Sequence, residues 1–76
     1  MTLNNETLKL IAPGIQRVWY EIAPDMGPCT RREAAELALD AGRLGEVDPD
    51  AEYFVDQLIK EHGYVTTLRF IANNCF

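Results

Sequence analysis

Val65-Thr66-Thr67-Leu68-Arg69-Phe70-Ile71 decides the fold class of this chain. β-Branched and aromatic residues dominate the stretch, and these favour strands. Tyr64, Leu68, Ile71 and Cys75 also fall at helical spacing. Thr-Thr and Phe-Ile are poor helix formers, so composition predicts a strand here. The chain then reads as α+β, mostly α, with three to four short helices and a short C-terminal strand or hairpin. Taking the tail as a helix instead makes it a small all-α bundle, the alternative.

The segment before the tail carries the clearest pattern. Asp48 is placed to cap a helix that has Pro49 at its first position, and Gly63 is placed to end it. Ala51, Phe54, Val55, Leu58, Ile59 and His62 form one apolar stripe at i, i+3, i+4, i+7, i+8 and i+11. Upstream, Thr30 and Glu33 make a capping box, Ala34, Leu37, Ala38 and Ala41 line one helical face, and Gly42 is a natural stop. Gly42–Val47 reads as a loop. Leu8, Ile11, Ile15, Val18, Trp19 and Ile22 keep helical spacing, interrupted by Pro13-Gly14. Proline suits a first helical turn and blocks an interior hydrogen bond. The spacing therefore predicts a short helix near Asn5–Ile11 and a second from Pro13 to about Ile22. Trp19 is expected in the core with Val18 and Ile22, and an aromatic pocket is the alternative.

Seventy-six residues, 47% hydrophobic and 25% charged, suit one globular domain over 1–76 with a small core. No run of about 18 apolar residues is present. Met1-Thr2-Leu3-Asn4-Asn5-Glu6 lacks the basic and apolar regions of a secretory signal, so a cytoplasmic location is expected. The widely separated Cys29 and Cys75 are then expected as reduced thiols, Cys75 exposed near the end.

Catalytic chemistry finds no constellation. The chain has no serine, which excludes a Ser-His-Asp arrangement. His62 is the single histidine, and its place on the buried stripe beside Gly63 suits packing or the helix dipole better than base catalysis. One His and two Cys are too few for a structural zinc site. Asp48-x-Asp50-x-Glu52 matches the start of a calcium loop, but Tyr53 and Ile59 stand where that loop needs Gly and Glu. No glycine-rich phosphate loop occurs. The expectation is a non-enzyme with no cofactor and no metal.

Charge is the functional signal. Glu46–Glu61 holds Glu46, Asp48, Asp50, Glu52, Asp56 and Glu61 against Lys60 alone, which equals the whole net charge of −5. First-turn acids favour the positive end of the helix, and Asp56–Lys60 is a stabilising i, i+4 pair. These account for part of the cluster, but Glu46 and Glu61 stay unexplained. With the apolar stripe inward, Tyr53, Asp56, Gln57 and Lys60 face outward, flanked by Asp50, Glu52 and Glu61. Tyr53 among acids reads as an interface anchor or as an ordinary exposed aromatic.

Gly27-Pro28-Cys29-Thr30-Arg31-Arg32-Glu33-Ala34-Ala35-Glu36-Leu37-Ala38 and Val55-Asp56-Gln57-Leu58-Ile59-Lys60-Glu61-His62-Gly63-Tyr64-Val65 together resemble a winged helix-turn-helix domain. The resemblance covers most of Pro13–Phe70. It implies a bracing helix, a recognition helix and a strand leading into a wing. The chain departs from that pattern in its long inter-helix segment and in the few residues left after Phe70. Its acidic second helix would also be repelled by phosphate.

The expected function is therefore binding of a protein with a basic surface, such as a nucleic-acid-binding protein, through Asp50, Glu52, Tyr53, Asp56, Gln57 and Lys60. Short acidic chains of this kind resemble regulators and inhibitors of nucleic-acid machinery, including phage-encoded ones. Glu52 and Asp56, one helical turn apart, suggest partial nucleic-acid mimicry. The alternative is a DNA-binding transcription regulator docking through Arg31, Arg32, Arg43 and Arg69. Self-association through the apolar ends is a further possibility.

Overall fold

The computed structural model describes residues 1–76. Five helices follow in order: α1 (Asn5–Ile22), α2 (Arg31–Asp40), α3 (Leu44–Val47), α4 (Pro49–His62) and α5 (Tyr64–Cys75), with a 3-10 turn at Ala23–Asp25. There is no strand. The α+β expectation is overturned and the all-α alternative holds. The tail that composition assigned to a strand or hairpin is a twelve-residue helix, and the structure has no wing.

Burial explains that outcome. Thr67, Leu68, Ile71, Ala72 and Cys75 are the buried residues of α5 and lie on one helical stripe. Ordinary residues differ from alanine by at most about 0.7 kcal/mol in helix propensity. Burying a leucine or isoleucine side chain contributes about 1.5–3 kcal/mol. Leu68 and Ile71 are fully buried, so packing outweighs the poor propensity of Thr66-Thr67. A strand here would also have no partner, and an isolated hairpin is marginal in water.

The N-terminal half is corrected in the same way. Pro13 lies inside one continuous α1 and does not start a second helix. A mid-helix proline leaves the carbonyl four residues back without its donor. That carbonyl belongs to Lys9, which is exposed like Pro13, so water can serve it. Breaking the helix there would instead separate Ile11 from Ile15 and Val18, all fully buried in one row.

The local signals elsewhere hold. Thr30 accepts from the Glu33 amide and the Glu33 carboxylate accepts from the Thr30 amide, both at 3.1 Å. This backbone hydrogen bond lowers the Glu33 pKa, with the Thr30 hydroxyl adding to the effect. Asp48 accepts from the Ala51 amide at 3.1 Å, with Pro49 opening α4. Gly42 leaves α2 with φ +70°. The Gly42–Val47 segment, expected as loop, contains the single turn α3, whose Leu44 is buried. Gly63 alone separates α4 from α5: its amide donates to the Ile59 carbonyl and its carbonyl accepts from the Thr67 amide.

The core joins Ile11, Ile15 and Val18 of α1 with Ala35 and Ala38 of α2 and Leu44 of α3. Ala51, Val55 and Leu58 of α4 and Leu68, Ile71, Ala72 and Cys75 of α5 complete it. α1 packs on α4 and α2, while α5 packs on α2, α4 and α1. No helix is long and apolar enough to cross a membrane.

Candidate protein-binding groove

Where each acid of the Glu46–Glu61 stretch finds a partner separates the structural from the unexplained. Glu46 and Glu21 both face Arg43, at 3.7 and 3.1 Å. Asp48 is the cap of α4. Glu61 pairs with the Met1 ammonium group. Glu46 and Glu61, unaccounted for in the sequence, thus have partners. Asp50, Glu52 and Asp56 have none. The predicted Asp56–Lys60 pair does not form within 4.0 Å, which leaves the Asp56 carboxylate uncompensated.

Helical geometry divides these residues further. At 100° per residue, Glu52 and Asp56 lie on one shoulder of α4, next to Val55 and Ile59. Asp50 and Gln57 lie towards the other shoulder, with Tyr53 and Lys60 on the crest between. The six residues predicted as one surface therefore spread over both shoulders and the crest of α4. Tyr53 is 60% exposed and packs edge-on against Phe54 at 5.7 Å between ring centres.

The Glu52–Asp56 shoulder borders a groove of about 360 Å3. Leu39, Leu44, Val55 and Ile59 form its apolar floor, all buried or half-buried. Asp40, Glu52 and Asp56 are exposed on its rim, with Tyr64 alongside. No lysine or arginine lines it, and Asp40 makes no ion pair. The Tyr64 phenol is pushed above its ordinary pKa by burial, then by the negative charges of Asp40 and Glu36. It stays protonated at neutral pH and offers a hydroxyl donor at the groove.

Asp40, Leu39, Leu44 and Tyr64 were not anticipated as site residues, because three different elements bring them to α4. Asp40 did carry a signal. It is the last residue of α2, at the negative end of the helix dipole, and no base occupies that last turn. Departures from such local rules are expected at functional or strained positions.

The arginines proposed for nucleic acid are scattered in their engagements. Arg32 pairs with Glu36 at 3.3 Å, and Arg43 bridges Glu21 and Glu46. Arg31 and Arg69 are exposed and make no ion pair. Arg31 borders a second groove of about 380 Å3 with Trp19, Tyr20, Cys29, Cys75 and Phe76. Trp19 is half-buried there, edge-on to Phe76 at 5.7 Å, and so lines a pocket as well as packing.

Two further expectations change. Cys75 is buried, not exposed, and burial raises its thiol pKa to about 11. Both cysteines are unpaired, and Cys29 is the exposed one. His62 leaves the buried stripe: its ring is exposed, with Nε2 2.6 Å from the Met1 carbonyl oxygen.

No protein-family model matches the chain, and no curated protein or solved structure matches it.

Proposed function

We propose that this protein is a small acidic regulator or inhibitor of nucleic-acid-associated machinery, of the phage-inhibitor kind. It binds a protein with a basic surface through the Glu52–Asp56 shoulder of α4. One observation carries the reading: Asp40, Glu52 and Asp56 gather at one groove with no cation among them. Like charges at i and i+4 cost an isolated helix about 0.2–0.5 kcal/mol. A cationic partner removes that repulsion, and attraction between opposite potentials speeds and orients docking. Tyr53 on the crest adds an aromatic contact at the edge of the same surface. The unpaired cysteines suit action in the reducing cytoplasm.

The reading as a DNA-binding regulator is weaker. Arg32 and Arg43 would have to leave their carboxylate partners to meet phosphate, and Arg31 and Arg69 alone give few contacts.

The test is a pull-down from cytoplasmic lysate, with and without nuclease, using the wild type and an E52K/D56K variant. A nuclease-resistant basic protein should bind the wild type and be lost from the variant, whose circular dichroism should be unchanged. A partner retained by the variant would overturn the reading. Recovery of DNA that dissociates at high salt would favour the regulator.

A further inference from the structure

We infer that the groove between α2 and α4 receives a cationic amphipathic helix of the partner protein. Its apolar side chains sit on Leu39, Leu44, Val55 and Ile59, and its lysine or arginine side chains reach Asp40 on one wall and Glu52 and Asp56 on the other. The inference rests on the function proposed above and names the element that the partner contributes.

The shape argues for side chains of a helix. The groove follows α4 from Glu52 to Ile59, about 10 Å at 1.5 Å per residue. That is about two helical turns, the span of anchors at i, i+4 and i+7. Its volume of about 360 Å3 lies at the low end of the range for pockets that enclose a small ligand, about 300–1,000 Å3. The chain has no sheet edge on which an extended peptide could add a strand. A trough with apolar side chains on its floor and carboxylates on its rim, walled by α2, α3, α4 and the start of α5, suits the helix-in-groove mode of recognition instead.

Charge selects the occupant. Three carboxylates and no base line the trough, so phosphate is excluded. A second copy of this chain is also unsuited, because it would bring its own net charge of −5 to the same place. Lysine and arginine match the site in both parts. Their aliphatic stems lie along apolar surface while their heads stay at the wet rim. The Tyr64 hydroxyl donates to a backbone carbonyl at an end of the docked helix.

The experiment uses the full chain and a fluorescein-labelled leucine–lysine peptide written in amphipathic order. A scrambled peptide of the same composition is the control. Fluorescence anisotropy at low salt should show the ordered peptide binding at least about tenfold more tightly than the scrambled one, a difference of about 1.4 kcal/mol. The exposed, near-isosteric D40N/D56N variant should lose about tenfold in affinity with unchanged circular dichroism. Amide shifts on titration should centre on Leu39, Leu44, Ile59 and Tyr64. Equal binding of the two peptides, or shifts centred on Tyr53 or on the Trp19–Phe76 groove, would overturn the inference. Self-association that excludes the peptide would do the same. If E52K/D56K loses the lysate partner while the peptide ignores the groove, the helix inference fails and the acidic-surface function stands. If that variant keeps its partner, both fail.

Discussion

Gly14 of α1 and Asp48, the cap of α4, approach so closely that a methyl group on Gly14 would lie 2.8 Å from the Asp48 β-carbon. The same methyl would meet the Ala51 β-carbon at 3.0 Å. The crossing of α1 over the start of α4 therefore depends on a glycine inside a helix, at a position where alanine would otherwise be favoured.

Gly14→Ala should destabilise the protein by about 1–2 kcal/mol. Alanine gains up to about 1 kcal/mol in helix propensity, but overpacking typically costs about 1–3 kcal/mol. The atoms that must move hold the cap hydrogen bond of α4, so the site cannot yield cheaply. Urea denaturation should show a lower midpoint with an unchanged slope. A higher midpoint would mean that the two helices separate freely at this point.

Gly63→Ala should cost about 1–3 kcal/mol for a different reason. No atom stands near its Cβ position, yet its φ of +88° with ψ 158° belongs to a region reserved for glycine. The loss should show in thermal unfolding. Asparagine, which tolerates the ordinary left-handed region but not this one, should not restore stability.

Asp40→Asn should stabilise the fold by about 0.3–1 kcal/mol, because it removes a negative charge from the C-terminal end of α2. The gain should shrink as salt screens the field. A stabilising change that weakens binding of a cationic peptide would be the stability–function trade-off expected of a site residue. Thermal unfolding at two salt concentrations, read beside the anisotropy titration, checks both halves.

Cys29 should react with a thiol reagent in the native protein, and Cys75 should react only on unfolding. Burial holds the Cys75 thiol near 11 against an ordinary 9.0. The unfolded chain therefore releases this proton at lower pH than the folded one. The contribution of the neutral thiol is fully present below pH 9 and is lost as pH rises towards 11. Cys75→Ala should flatten that alkaline decline, at the cost of a small cavity, and a pH series of unfolding midpoints measures it.

Local features were legible. The Thr30–Glu33 box, the Asp48–Pro49 start, and the Gly42 and Gly63 ends involve residues within about one turn of one another. Their geometry follows from the residues themselves. The apolar stripe of α4 was equally plain, except at its end, where His62 turns outward to the N-terminal residues. Of the predicted site, Glu52 and Asp56 meet at the groove, whereas Asp50, Tyr53, Gln57 and Lys60 do not line it.

The sequence by itself determined where α2 and α4 start and stop, which face of α4 is buried and where the charge excess lies, because each of these is settled by neighbours along the chain. Only the tertiary structure decided that Val65–Ile71 is helical, that α1 runs through Pro13, and that Asp40 joins Glu52 and Asp56 at one groove. In the first two cases the local preference is weak or opposed, and burial of Leu68, Ile71, Ile11 and Ile15 in a shared core outweighs it. In the third, the residues come from separate helices, and their meeting exists only once those helices pack.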